Sequence, residues 1–162
     1  MPLGGIGVSD AIREVINGVA PGKRWMHAYT YSGHPTCCAV ALKNLEIIHD
    51  EQLVERAARL GGQLAERLQG LTALDGVGNV RSLGLIGAVE IVADQATKAQ
   101  HPPEAQMASR LTDARLERGL LTRVALDCIC IAPPLVISEA QLDRVVEIIA
   151  EAVPAALAAA RA

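Results

Sequence analysis

The chain contains no phenylalanine, and its large aromatics, Trp25, Tyr29 and Tyr31, all crowd into one stretch near the N-terminus. A core in the remaining length has to be assembled from Leu, Val, Ile and Ala, which suits layers of helix on sheet. With 51% of its 162 residues apolar, the chain can bury such a core in one domain, or in one domain plus part of another. The net charge of −3, with acids and bases interspersed, provides no basic stripe with interleaved aromatics, so nucleic acid is not expected as a partner. The longest apolar runs, such as 129–137, are broken by Pro133-Pro134 and are far too short to cross a bilayer, so no transmembrane helix is expected. Four cysteines fall as Cys37-Cys38 and Cys128-x-Cys130, a pattern that fits a reducing cytoplasm better than a secreted disulfide framework. No signal peptide is expected at the start, which reads like the middle of a strand and its approach, as though the sequence had been cut into.

Local patterns give an order of elements. Ile6–Val8 is a short strand candidate, and Asp10 is placed to cap a helix through Ile16. From Pro35 a long helix is expected, with Cys38, Leu42, Leu45 and Ile48 on one face. After a break near Asp50, Leu53, Ala57, Leu60, Leu64 and Leu68 repeat at helical spacing, and Gly70 ends the run. The stretch 77–92 carries β-branched residues punctuated by Gly78, Gly84 and Gly87, predicting two strands or one bent strand. Residues 94–103 read as a loop. Residues 104–118 read as a helix with Met107, Leu111, Ala114 and Leu116 inward, closed by Gly119. Strands are expected over 120–123 and 128–132. Ser138 and Gln141 form a capping box ahead of a last helix, with Leu142, Val145, Val146, Ile149 and Val153 inward and a kink at Pro154. The result is an α/β layer domain of the α+β kind, helices packed on a small, mainly antiparallel sheet.

One string is more specific than any of these patterns. Residues 27–35, His-Ala-Tyr-Thr-Tyr-Ser-Gly-His-Pro, run directly into a helix start rich in small residues. The sequence resembles the T-x-S-G-H-P segment of class III, omega-type, pyridoxal-phosphate-dependent aminotransferases. In the same order come Pro2-Leu3-Gly4-Gly5, similar to the strand after the family's catalytic lysine, and residues 81–90, similar to its R-G-x-G-L-x-x-x-x-E stretch. Arg123 with Asp127 and Pro133-Pro134-Leu135 is similar to its closing pattern. The resemblance covers nearly the whole chain. It implies the C-terminal small domain of a fold-type I transferase over residues 36–162, and over 1–35 a remnant of the large cofactor-binding domain that includes the phosphate-contact loop.

The resemblance also implies roles. Thr30, with Ser32, would contact the cofactor phosphate, and the matching Thr of the family reaches across to the neighbouring subunit, which implies a dimer. Arg123 would bind a substrate carboxylate through its planar fork, and Tyr29 would line the partner subunit's substrate pocket. Where many relatives follow this Arg with Pro-Leu-Gly, this chain has Val124-Ala125-Leu126. Read without the resemblance, Thr30 and Ser32 are turn residues, Arg123 a surface arginine and Tyr29 an aromatic packed under a loop. His34 is expected to hold its turn through a ring hydrogen bond. The cysteines with His27 and His34 lack any C-x-x-C knuckle, so no metal site is expected. Gly4-Gly5-Ile6-Gly7 lacks dinucleotide-binding spacing.

Schiff-base chemistry needs an activated amine. The lysines are Lys23, Lys43 and Lys98, none in a family-like motif, and the family's lysine precedes the string that begins here at Pro2. The implied function is therefore the C-terminal portion of an aminotransferase, moving an amino group between an amine or amino acid and a keto acid or aldehyde. It would be inactive alone, with no catalytic residue of its own, and a homo-oligomer or a complex with a lysine-bearing N-terminal half. A stand-alone binding module that kept the fold is the alternative. A metal or redox protein built on the cysteines is a distant third.

Overall fold

The computed structural model describes residues 3–27 and 29–161. The chain divides into two compact units, Met1–Glu51 and Gln52–Ala162.

In the first unit no described residue of either helix is buried. Ser9 caps α1 (Asp10–Gly18), its hydroxyl accepting from the Ile12 N–H at 3.4 Å. Asp10, expected as the cap, lies one place further in, because Ser9 takes the extended backbone that a cap requires. Residues 6–8 form no strand, since an extended segment becomes one only against a neighbour's N–H and C=O groups. The helix expected from Pro35 is present as α2 (Pro35–Asp50), with Pro35 in its first turn. Its apolar face is open at Leu42 and Leu45, 63% and 60% exposed, while Cys38 and Ile48 are half-buried.

The second unit carries the core. Its helix α3 (Leu53–Gly70) buries Leu53, Leu60, Leu64 and Leu68 at the predicted spacing. Two strands follow, β1 (Val77–Leu83) and β2 (Ile86–Ile91), joined by a hairpin in which Gly84 takes φ 53. Helix α4 (Met107–Leu116) starts later than its pattern suggests, because Gln106 sits in the left-handed region. Gly119, at φ 83, closes it as expected. The last strands are β3 (Arg123–Ala125) and β4 (Cys128–Ile131). In α5 (Glu139–Arg161), Ser138 and Gln141 cap reciprocally at 2.9 and 3.1 Å, and the helix continues through Pro154.

The sheet is antiparallel throughout, in the order β1-β2-β4-β3. Val89, Ile91 and Ile129 point to one face and are fully buried with Leu60, Leu64, Leu68, Leu111, Leu142, Ile149 and Val153 of the helices. The strand expected at 120–123 lies three residues later, since main-chain pairing with β4 begins only at Arg123↔Cys130. Leu116, expected inward, is exposed; its neighbour Arg115 is fully buried instead. Ion pairs such as Arg59–Glu139 and Arg67–Asp143 tie α3 to α5 from outside, each worth up to about 1 kcal/mol.

The two glycines inside α3 differ in what surrounds them. A Cβ on Gly61 would stand 2.6 Å from the backbone of Gly84, whereas one on Gly62 would meet nothing within 4 Å. Gly61 is thus where α3 approaches the β1–β2 hairpin backbone. We expect Gly61→Ala to destabilise the fold by about 1–3 kcal/mol through overpacking. Gly62→Ala should stabilise it by about 0.5–1 kcal/mol through helix propensity. Urea unfolding of the two variants checks the opposite signs.

Candidate functional site

The turn ahead of α2 is held by its own main chain. Ser32 N–H donates to Tyr29 O at 2.9 Å and His34 N–H to Tyr31 O at 3.2 Å, while Ser32 Oγ accepts from Tyr29 N–H at 3.1 Å. Ser32 therefore builds the turn. Thr30 is exposed, and neither its hydroxyl nor its N–H has a partner among the described residues. Behind the turn, His34 gives α2 no side-chain cap, so the first free N–H groups of the helix stay available to an acceptor, at the positive end of its dipole. This arrangement offers donors to an anion. His34 does not bond through its ring among the described residues, contrary to expectation; the ring meets Tyr31 edge-on with centroids 6.4 Å apart. Tyr29 is 72% exposed. Its ring packs edge-on against His27 at 4.7 Å, and His27 stacks on Trp25 at 5.1 Å.

In the second unit, Arg123 opens β3 and is exposed, its guanidinium without a hydrogen-bond or ion-pair partner among the described residues. Register places Arg81, Ala88, Cys130 and Arg123 in one row across the open face of the sheet. Of the two guanidinium groups in that row only Arg123 is uncommitted: Arg81 pairs with Glu90 at 3.2 Å. Sequence reading missed the residue that stands behind Arg123. Arg115, with no carboxylate partner among the described residues, donates to Leu111 O at 2.9 Å, Thr122 O at 3.2 Å and Thr112 Oγ1 at 3.3 Å. Burial pulls its pKa below the usual guanidinium value. Nothing in the sequence signals this placement, because a charged side chain argues for the surface.

The lysines are placed away from such chemistry. Lys43 donates to Glu46 at 3.0 Å, Lys98 to Gly78 O at 2.7 Å, and Lys23 lies exposed at the end of a short turn. Among the described residues no group of three or more His, Cys, Asp or Glu is placed to hold one metal ion.

A turn with exposed donors ahead of a helix and an antiparallel sheet with helices on one face are the features to be compared with known proteins. Residues 1–153 match the family described as aminotransferase class III, and the chain belongs to it. An uncharacterized aminotransferase of Bacillus subtilis, YhxA, is 36% identical over 93% of this chain and 35% of its own length. The putrescine–pyruvate aminotransferase of Pseudomonas aeruginosa is 34% identical over 90% of this chain and 31% of its own. Among solved structures, a thermostable (S)-enantioselective omega-transaminase from Thermomicrobium roseum matches with a TM-score of 0.87 and 43% identity, covering 93% of this chain and 33% of that one. The chain thus spans about a third of the length of the relatives it matches, and its fold is that of the C-terminal part of fold-type I transaminases.

The turn after Arg123 shows how this chain departs from the Pro-Leu-Gly pattern. Leu126, where that pattern has Gly, is held at φ 53 and is 79% exposed. A left-handed leucine costs about 1–2 kcal/mol, against which glycine loses about 0.4–1 kcal/mol of chain entropy. Leu126→Gly should therefore stabilise the second unit by about 0.5 kcal/mol, read from a higher urea midpoint at unchanged slope.

Proposed function

We propose that this chain is the C-terminal portion of a pyridoxal-phosphate-dependent aminotransferase that moves an amino group between an amine or amino acid and a keto acid or aldehyde. It acts only together with a lysine-bearing N-terminal half, or within an oligomer that contains one. The observation that carries this reading is a pairing: Thr30 and Arg123 stand uncommitted, while Lys43 and Lys98 are engaged elsewhere and Lys23 lacks the apolar enclosure that activates an amine. A vibrio transaminase solved with the aminated form of the cofactor, PMP, is 30% identical over 83% of this chain, which supports this choice of cofactor.

The residues present fit the phosphate end of that group. When bound, the cofactor supplies an electron sink for the substrate's breaking bond. Thr30 gives a hydroxyl and an N–H to phosphate oxygens, and Ser32 keeps the loop that presents them, its hydroxyl hydrogen remaining free to donate. Arg123 holds a substrate carboxylate in a two-pronged grip, and Tyr29, steadied by His27, walls the pocket of a neighbouring subunit. Segment 1–35 is the part of the large domain that carries the phosphate contact. The open face of α2, with Leu42 and Leu45 exposed, supports association with another chain. Four free cysteines favour the cytoplasm; among the described residues no helix is long and apolar enough to cross a membrane. A non-catalytic module is the second reading, favoured by the closed aliphatic core of the second unit.

The test is complementation. The isolated chain should show no turnover and only diffuse surface labelling when treated with pyridoxal phosphate and borohydride. Mixed with an N-terminal half taken from a relative, it should gain transaminase activity. In that mixture Thr30→Ala should weaken cofactor retention. Arg123→Ala should raise KM for carboxylate-bearing donors and spare simple amines, because only the former present a partner for the fork. Stoichiometric labelling at Lys23 with turnover by the chain alone would sink the reading. Binding of small molecules without turnover in any mixture would favour the module.

A further inference from the structure

The open face of the sheet holds a second cluster that amino transfer does not use. Cys128 and Cys130 lie two apart on β4, so their side chains leave the strand on the same face. Opposite them in register are Glu90 and Ala125, and Ala88 and Arg123. Both cysteines are half-buried and line one cavity of about 280 Å³ together with Arg81, Glu90 and Ala125. The small neighbours leave the sulfurs room. Cys130 Sγ lies 3.9 Å from Cys128 O, and Arg81 Nη2 lies 3.8 Å from Cys128 Sγ while Nη1 holds Glu90.

We propose that Cys128 and Cys130 form a two-sulfur site for a soft monovalent cation of the Cu(I) type. Tetrahedral zinc is disfavoured, since it wants four ligands and no third donor stands with the pair among the described residues. Soft thiolates select Cu(I), which is satisfied by fewer ligands. Binding breaks two S–H bonds and forms two S–Cu bonds; two protons leave to solvent and copper stays monovalent. The resulting unit carries one negative charge, which faces the Arg81 guanidinium at 3.8 Å from Cys128 Sγ. Glu90 and Asp127, which line the same cavity, oppose this, and the Glu90 carboxylate is engaged by Arg81. Burial first, and the neighbouring Cys130 thiol second, hold the Cys128 thiol above its usual pKa, with Arg81 pulling the other way. The metal therefore has to displace the proton, as it does at other thiol sites. Cys37 and Cys38 form no equivalent pair, because consecutive helical positions do not face each other.

The site stands or falls independently of amino transfer, and the chain alone suffices to test it. A full chain carrying Cys37→Ser and Cys38→Ser is titrated anaerobically with Cu(I) against bicinchoninate, with circular dichroism as a check on folding. One copper per chain with two sulfur neighbours by X-ray absorption is expected. Cys128→Ser or Cys130→Ser should each abolish binding, and Arg81→Met should weaken it about tenfold, as loss of a supporting contact does. Independently, Cu(I) should protect Cys128 and Cys130 of the unsubstituted chain from iodoacetamide, and leave Cys37 and Cys38 reactive. That arm decides if a serine variant does not fold. Failure to compete with bicinchoninate, binding that survives either serine substitution, three or more sulfur neighbours, or absence of protection at the β4 pair would overturn the proposal.

Discussion

The aliphatic layer between the sheet and its helices sets the position of every residue on the opposite face. Val89, Ile91 and Ile129 are fully buried against Leu60, Leu64, Leu68 and Ile149, and strand side chains alternate. Burying those three forces Ala88, Glu90, Cys128 and Cys130 outward, and pairing in register carries the same face to Arg81 and Arg123. A slip by one residue would exchange the two sets. The contact between Gly61 and Gly84 backbone helps prevent it, because α3 reaches the β1–β2 hairpin so closely only where neither partner has a side chain in the way.

The sequence was most legible where chemistry is local. The repeat of Leu53, Leu60, Leu64 and Leu68, the capping pair Ser138 and Gln141, and the left-handed Gly119 each follow from neighbours within a turn or two of chain. Motif strings likewise identified the family, since the resemblance rested on short runs around Thr30, Arg81 and Arg123. Long-range choices were not legible. The start of β3 at Arg123 is decided by where β4 offers pairing partners, and the segment 6–8 reads as a strand by composition but has no neighbour among the described residues to make it one. Of the candidate contacts, the sequence named Thr30 and Arg123, both of which stand uncommitted. For Ser32 the sequence offered a turn role beside the phosphate contact, and the folded loop shows the turn bond from Tyr29 N–H to its Oγ.

The two units also differ in how complete they are as physical objects. The second closes a core of its own. The first exposes Trp25, Tyr29, Tyr31, Leu42 and Leu45. The donors around Thr30 belong to this less enclosed unit. Their hold on an anion would be weak in open water, where each hydrogen bond competes with solvent.

Arg115 anchors the strand entry that precedes Arg123. A buried guanidinium with no carboxylate beside it is costly unless its donors are satisfied. Here it lies in the last turn of α4, where carbonyl groups present the negative end of the helix dipole, and it donates to Leu111 O and Thr112 Oγ1 of that helix. Its third bond reaches Thr122 O, and Thr122 Oγ1 in turn donates to Cys130 O. The residue just before Arg123 is thus fixed from both sides, to α4 and to β4. Satisfying the buried charge with carbonyls and hydroxyls anchors the strand entry that leads into Arg123.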